Sequence, residues 1–155
     1  MPVRNTFDKQ LIFNDLKIRD KNEILQYMAT KMYEKGYVKG TYAQAVIERE
    51  KVYPTGLQTE AFGVAIPHSD SIHVNQAVIA VCIVEEPIVF HVMGGAEEEE
   101  VLVKFIFMLA IDDPKKHIEM LSKLSIIFQD EQKMQEIVKL KQDAIYEKLN
   151  CYINH

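Results

Sequence analysis

The sequence has few of the residues that mark a disulfide-rich, membrane-spanning or secreted chain. Its two cysteines, Cys82 and Cys151, form no CxxC motif and no disulfide framework. The longest uncharged apolar run, residues 77–84, is far shorter than the roughly 20 residues that span a bilayer. Residues 1–13 include charged side chains and lack the apolar core of a secretory signal. We therefore expect a cytosolic protein.

Positive charge is also scarce. The chain has 18 Lys and Arg residues against 23 Asp and Glu residues, so it lacks the basic surface that displaces counterions from nucleic acid. Hydrophobic residues make up 48% and charged residues 26%, which is the balance of a folded globular chain. Because the length is 155 residues and no repeat or linker interrupts it, we expect one domain over residues 1–155.

Helix-start signals occur at three points along the chain. Asp20 with Glu23 forms a capping-box pattern, and Thr41 with Gln44 repeats it. An aspartate pair before Pro114 gives a third start, because an Asx cap followed by proline suits the first helical turn. These signals predict helices that begin near residues 20, 41 and 114.

Apolar segments between these helices predict the strands. The predicted strands are residues 11–18, 62–66, 77–84, 88–92 and 101–111, the last being central because it is almost uninterrupted by charge. Further helices are predicted from about residue 131 and to about residue 149. The alternation predicts an α/β fold, a single-domain sandwich in which helices flank a mixed sheet of four to five strands.

Arg49 occupies an unusual place on the second predicted helix. At about 100° per residue, it points into the middle of an apolar side. The other members of that side are Tyr42, Ala45, Val46 and Val52. The guanidinium either reaches out to the rim, where it pairs with Glu48 or Glu50, or faces a partly buried anion. The helix pattern alone leaves both interpretations open.

His117 repeats this anomaly on the helix that begins at Pro114. It lies within the apolar stripe and in the first turn, where free backbone N–H groups and the helix dipole favour an anion. A histidine in such a stripe is either a core residue with a satisfied ring or part of a polar site. Together with Arg49 it suggests a convergent anion site.

His68 follows a short apolar segment bracketed by Gly63 and Pro67. A histidine on a stiffened backbone presents one ring nitrogen outward. Neutral imidazole is a competent nucleophile near pH 7, because its unperturbed pKa is about 6.5. From the residue types alone, His68 is a candidate nucleophile for a phosphoryl group.

The segment Gly63-Val64-Ala65-Ile66-Pro67-His68 closely resembles the G-[IV]-A-[IV]-P-H signature of the IIA components of the bacterial phosphoenolpyruvate-dependent sugar phosphotransferase system, fructose–mannitol class. Arg49 lies 19 residues before His68, and His117 lies on a helix that resembles the family's second-histidine helix. The similarity extends over about residues 11–149. The segment Tyr53-Pro54-Thr55-Gly56-Leu57 looks most like the galactitol-specific branch.

The resemblance implies a cytosolic phosphocarrier that uses no metal or cofactor. His68 would accept a phosphoryl group from phospho-HPr, the histidine-containing phosphocarrier protein, and pass it to a cysteine of a IIB component, free-standing or fused, coupled to uptake through a membrane IIC component. Arg49 and His117 would donate hydrogen bonds to the phosphoryl oxygens, and Thr55 and Ser69 would add hydroxyl donors. Neither nucleic acid nor membrane insertion is implied.

Two other functions remain compatible with these residues. A regulatory phospho-switch of the nitrogen-related IIA type would share His68, Arg49 and the fold. A metal-dependent enzyme would use His68, Asp70 and His73, although their spacing fits no standard zinc signature. A carrier that docks two partners in turn also needs exposed apolar residues near His68, for which Phe62 and Ile72 are candidates.

Overall fold

The computed structural model describes residues 6–153, in which strands and helices follow one another in small groups and end in three consecutive helices. The ends of the expected 1–155 domain, residues 1–5 and 154–155, lie outside the described residues. The strands are β1 (Phe7–Phe13), β2 (Gly56–Gln58), β3 (Gly63–Ala65), β4 (Val78–His91) and β5 (Glu100–Ala110). The helices are α1 (Lys21–Glu34), α2 (Tyr42–Val52), α3 (Pro114–Phe128), α4 (Glu131–Ile137) and α5 (Gln142–Ile153), with a 3-10 turn at Ser71–His73.

The strands form one mixed sheet in the order β1-β4-β5-β3-β2. β1 runs parallel to β4, and β3 runs parallel to β5, whereas the β4–β5 and β2–β3 pairs are antiparallel. β5 is therefore the central strand, as its nearly continuous apolar sequence predicts. The predicted α/β fold with a mixed sheet and flanking helices is confirmed.

The two faces of the sheet support separate hydrophobic cores. In β5, Ile106, Met108 and Ala110 contribute to the core that includes buried residues of α1 and α2. The alternate residues Phe105, Phe107 and Leu109 contribute to the core that includes residues of α3, α4 and α5. Because successive side chains of a strand point to opposite faces, one strand holds both helical layers together.

Two predicted strands are one in the structure. The segment between them, residues 85–87, lies inside β4, and the pairing of β4 with β5 shifts register between Ile83 and Ile88. Such an irregularity accommodates Pro87, because a bulge leaves a position that needs no ladder hydrogen bond. The prediction for the first strand is also shifted, since β1 begins at Phe7 and ends at Phe13.

The helix-start signals differ in their outcome. Asp20 caps α1 by accepting a hydrogen bond from the backbone N–H of Glu23 at 2.9 Å, as predicted. Thr41 makes no side-chain cap for α2. Its hydroxyl instead lies 2.7 Å from Nδ1 of His73, so it ties α2 to the 3-10 turn. Within residues 6–153, no helix has the length and apolar character to cross a membrane.

The close approach of β3 to β5 yields a prediction about Gly63. A Cβ at this position would overlap the carbonyl oxygen of Leu102 and lie 2.8 Å from its carbonyl carbon. Since this neighbour is backbone, Gly63→Ala should lower the free energy of unfolding by about 2 kcal/mol or more, as overpacked sites do. Urea denaturation measures the change.

Gly40→Ala is the matched control for this substitution. The nearest atom to a Cβ at Gly40 is Cε1 of Tyr33 at 3.6 Å, an ordinary contact. This variant should stay within about 0.5 kcal/mol of the wild type. Equal stability of the Gly63→Ala and Gly40→Ala variants would contradict the close approach of β3 to β5.

Candidate active site

His68 is anchored at the ends of β3 and β5. Its backbone forms a parallel bridge with Leu109 of β5, and the Leu109 N–H donates to the carbonyl oxygen of Pro67 at 2.9 Å. The carbonyl oxygen of Leu109 accepts the buried hydroxyl of Tyr42 at 2.6 Å. Hydrogen bonding to the central strand β5 therefore fixes the backbone position of His68, whose ring is half-buried.

The tautomer of His68 follows from its contact with Ile66. Nδ1 of the ring lies 2.9 Å from the Ile66 carbonyl oxygen. Because a carbonyl oxygen only accepts hydrogen bonds, Nδ1 carries the proton and donates it. In the neutral ring, Nε2 then holds the free lone pair, which is the atom available as a nucleophile.

A second imidazole lies beside the first. The ring centroids of His68 and His117 are 4.8 Å apart, with 60° between the ring planes. His117 comes from α3, on the side of the sheet opposite α2. The structure therefore brings together two histidines that are 49 positions apart in the sequence.

Arg49 completes the cluster from α2. Its Nη1 lies 3.3 Å from Oδ1 of Asp70, two residues after His68, and its guanidinium lies over the Tyr53 ring at 5.4 Å. Of the two interpretations left open for Arg49, pairing with Glu48 or Glu50 is not what the structure shows: Glu48 accepts from Gln44, and Glu50 accepts from Thr55. Arg49 thus faces the His68 loop with an acidic partner already in place.

Burial and the charge of Arg49 govern the protonation of both rings. Burial is the main cause that lowers the pKa of His68, and the charges of His117 and Arg49 lower it further. The hydrogen bond to Ile66 and the charge of Asp70 act in the opposite direction. Burial, followed by the charge of Arg49, also lowers the pKa of His117. Both imidazoles are therefore neutral near pH 7, with a lone pair available on each.

The two predicted hydroxyl donors are occupied by other partners. Thr55 is buried, and its hydroxyl donates to Oε1 of Glu50 at 2.8 Å and accepts the Ile66 N–H at 3.1 Å. The Ser69 hydroxyl donates to the Asp70 carbonyl oxygen at 3.0 Å. Thr55 thus ties the His68 loop to α2, and its proton is not free for a ligand.

The helical projection misjudged the buried side of α2. The buried positions are Tyr42, Val46 and Glu50, spaced four residues apart, so Arg49 borders this stripe instead of lying in its middle. Val52, expected on the apolar side, is 68% exposed. From the sequence, Glu50 is a possible partner of Arg49 at the rim, whereas the structure buries it. Its one signal was an acidic residue in the last turn of a helix, where the helix dipole disfavours it.

The start of α3 is less open to an anion than the sequence suggests. Asp113 accepts the Lys115 N–H with its side chain at 2.9 Å and the His117 N–H with its carbonyl at 3.1 Å. The expected free N–H donors are thus partly occupied by the helix cap. The His117 ring, rather than the helix terminus, is the group that α3 supplies to the cluster.

Two further expectations concern the surroundings of His68. Ile72 is 68% exposed, as predicted, but Phe62 is half-buried and packs on Phe105 with ring centroids 5.2 Å apart.

Asp70 faces Arg49, and His73 faces Thr41, so these residues do not converge on His68 as metal ligands would. Over the residues that the structure describes, no group of three or more His, Cys, Asp or Glu side chains is arranged to hold a metal ion.

Comparison with known proteins finds a family model and named relatives that match most of the chain. The family model described as phosphoenolpyruvate-dependent sugar phosphotransferase system, EIIA 2, matches residues 5–151. The galactitol-specific EIIA component of Escherichia coli strain K12 is 26% identical over 134 residues, which are 86% of this chain and 88% of that protein. The mannitol-specific enzyme IIA component of Staphylococcus aureus strain N315 is 27% identical over 136 residues, 87% of this chain and 88% of that protein.

The fold of this chain also resembles that of one chain in a solved complex. The structure of enzyme IIA mannitol with phosphorylated enzyme IIB mannitol from Escherichia coli contains a chain with a TM-score of 0.75 and 24% identity. The match covers 92% of this chain and 96% of that one. At this identity the likeness supports the fold.

The electrostatics of the cluster predict the effect of removing Arg49. Arg49→Met should raise the pKa of both His68 and His117, because the charge that opposes their protonation is lost. NMR titration of the imidazole C–H signals measures both values. Arg19→Met is the matched control, since Arg19 pairs with Glu86 and does not act on either ring. Unchanged titration of both rings in Arg49→Met would contradict this arrangement.

The same substitution has a consequence for stability. The pKa of His68 in the folded protein lies below the unfolded value of about 6.5, so its stabilising contribution is full above pH 6.5 and is lost as the pH falls through the folded pKa. Arg49→Met should therefore reduce the loss of stability on acidification, as measured by urea denaturation across this pH range.

Proposed function

The chain belongs to the EIIA 2 family of the phosphoenolpyruvate-dependent sugar phosphotransferase system, and from this premise we propose that it is a phosphohistidine carrier. His68 accepts a phosphoryl group from phospho-HPr and passes it to a cysteine of a IIB component. The observation that carries this proposal is the contact of Nδ1 with the Ile66 carbonyl, because it leaves Nε2 free beside a guanidinium and a second imidazole.

In the proposed transfer to His68, one N–P bond forms and one breaks, so no metal ion or cofactor takes part as a reactant. The Nε2 lone pair attacks phosphorus, the new N–P bond forms, and the electron pair of the donor's N–P bond returns to the donor imidazole. Nδ1 keeps its proton throughout, and its N–H donates a hydrogen bond to the Ile66 carbonyl oxygen, which stabilises the positive charge that develops on the ring. The lowered pKa of His68 keeps the attacking lone pair available near pH 7.

Arg49 and His117 would offset the charge on the phosphoryl oxygens. We propose that the Arg49 guanidinium turns from Asp70 to the phosphoryl group, where its planar donors form charge-assisted hydrogen bonds. His117 would donate one further bond from its ring N–H. Catalysis of phosphoryl transfer depends mainly on such positioning and electrostatic stabilisation.

The hydroxyl residues take different parts in this proposal. Ser69, next to His68 in the chain, would turn its proton from the Asp70 carbonyl to a phosphoryl oxygen. Thr55 would stay hydrogen-bonded to Glu50 and would position the segment before His68 through its bond with the Ile66 N–H. This assignment revises the sequence-based expectation that both hydroxyls contact the phosphoryl group.

The curated relatives favour a role in sugar uptake. The relatives named above are called galactitol-specific and mannitol-specific, and the Tyr53–Leu57 segment resembles the galactitol branch. We therefore propose a galactitol-type polyol as the sugar, a cytoplasmic location for the carrier, and an indirect link to a membrane IIC component through IIB. The regulatory phospho-switch is not favoured, because these relatives are named for sugars.

Three exposed apolar side chains lie close in sequence to the polar residues of the site. Tyr53, Ile72 and Ile118 are 64%, 68% and 70% exposed, and they are close in sequence to Arg49, to His68 and to His117, respectively. Large exposed apolar residues near a polar site are typical of protein–protein contacts. We propose that HPr and IIB dock here in turn, as a carrier with one reactive nitrogen requires.

Substitution of the histidines separates the acceptor from its neighbour. His68→Ala should take up no phosphoryl group from phosphoenolpyruvate, enzyme I and HPr. His117→Ala should keep the acceptor but slow transfer roughly 10-fold or more, as loss of a charge-assisted hydrogen bond predicts. Intact-protein mass spectrometry over time measures both, with His91→Ala as a histidine control. Full stoichiometric phosphorylation of His68→Ala would refute the carrier role of this residue.

The docking surface predicts a second effect. Ile118→Ser should raise the concentration of IIB needed for half-maximal transfer several-fold, because an apolar contact is lost at the interface. Ile126→Ser is the matched control, since Ile126 is 66% exposed on the same helix but lies about 12 Å further along its axis. If both variants behaved alike, the interface would lie elsewhere.

A further inference from the structure

Glu50 is a buried carboxylate that the proposed chemistry does not use. It is 3% exposed and lies in the last turn of α2, where the negative end of the helix dipole disfavours it. Burial is the main cause that raises its pKa, while hydrogen bonds from Thr55 and the charge of Lys21 oppose that shift. A residue placed at such cost needs a structural reason.

The reason lies in its two contacts with Thr55. One carboxylate oxygen accepts the Thr55 backbone N–H at 2.8 Å, and the other accepts the Thr55 hydroxyl at 2.8 Å. A hydroxyl has one proton and two lone pairs. Because the hydroxyl proton is used in the hydrogen bond to Glu50, the Thr55 oxygen can only accept from its other neighbour. That neighbour is the Ile66 N–H, at 3.1 Å.

Ile66 is therefore held on both sides of its carbonyl. Thr55 fixes the N–H of Ile66, and β5 fixes the next residue, because the Pro67 carbonyl accepts the Leu109 N–H at 2.9 Å. The proline ring also restricts the backbone at this point. The Ile66 carbonyl lies between these anchors and cannot turn away from Nδ1 of His68 without breaking one of them.

We propose that Glu50 and Thr55 are positioning residues that hold the Ile66 carbonyl against Nδ1 of His68 and so select the ring tautomer with a free Nε2. The inference rests on the proposed function, since the free Nε2 of this tautomer matters only if His68 is phosphorylated there. Glu50 and Thr55 act on the ring through Ile66 and touch no phosphoryl group. Their removal should therefore change the tautomer and slow transfer while leaving the acceptor in place.

The hydroxyl of Thr55 can be removed cleanly. Thr55→Val keeps the shape of the side chain and the backbone N–H that Glu50 accepts, but it removes both bonds of Oγ1. In the unphosphorylated chain of 155 residues, 15N NMR of the His68 ring should show a larger share of the tautomer protonated at Nε2. Phosphorylation by phospho-HPr should slow roughly 10-fold to 100-fold, as misplaced reacting groups do. Thr55→Ser should restore both values.

A second threonine in a nearby turn provides the control. The Thr59 hydroxyl donates to the Phe62 carbonyl at 2.7 Å and accepts the Phe62 N–H at 3.1 Å, so Thr59→Val removes a similar pair of bonds. That variant should leave the His68 tautomer and the phosphorylation rate unchanged. A general loosening of the loop would instead affect both threonine variants alike and would overturn the proposal.

Glu50→Gln tests the role of the Glu50 carboxylate, and it keeps the proposal testable if Thr55→Val does not fold. A carboxamide offers one acceptor oxygen to the two Thr55 donors, so the tautomer should shift in the same direction by a smaller amount. A wild-type tautomer in folded Thr55→Val or in Glu50→Gln would overturn the proposal. Because the NMR measurement needs no phosphoryl donor, its result stands even if HPr fails to phosphorylate His68.

Discussion

The hydrogen bond from Nδ1 of His68 to the Ile66 carbonyl is the contact on which the rest of the site depends. It decides which ring nitrogen has a lone pair, and it gives the ring one orientation relative to His117. A free imidazole exchanges its proton between two nitrogens, whereas this one is held by a single fixed acceptor. The neighbouring groups can assist a reaction at Nε2 because its direction is set in advance.

The architecture explains how the other groups reach this ring. Tyr42 and Val46 anchor α2 in the core on one face of the sheet, whereas Met120 and Leu124 anchor α3 in the core on the opposite face. Arg49 and His117 thus approach from separate layers and meet where β3 and β5 end. Neither layer alone contains the cluster, so its geometry depends on the central strand that both layers share.

Local signals in the sequence predicted more of the fold than of the site. The cap at Asp20 and the start at Pro114 depend on neighbours a few residues away, so the sequence reveals them directly. In the sequence, the site residues stand out only as polar side chains on apolar helix faces and through the family resemblance. The contacts of Thr55 with Ile66 and of Tyr42 with Leu109 join distant segments, and no periodic pattern reports them. The sequence suggests other roles for Asp70 and Glu50, because the pattern does not show that Asp70 pairs with Arg49 or that Glu50 binds Thr55.

Identifying the atom that would carry the phosphoryl group tests the proposed mechanism most directly. The chain would be labelled with 15N in its histidines, phosphorylated through HPr, and studied by 15N and 31P NMR. Coupling of phosphorus to Nε2 of His68, with Nδ1 still protonated, is the predicted result. Phosphorus on Nδ1 of His68, or on His117, would contradict the role assigned to the Ile66 carbonyl.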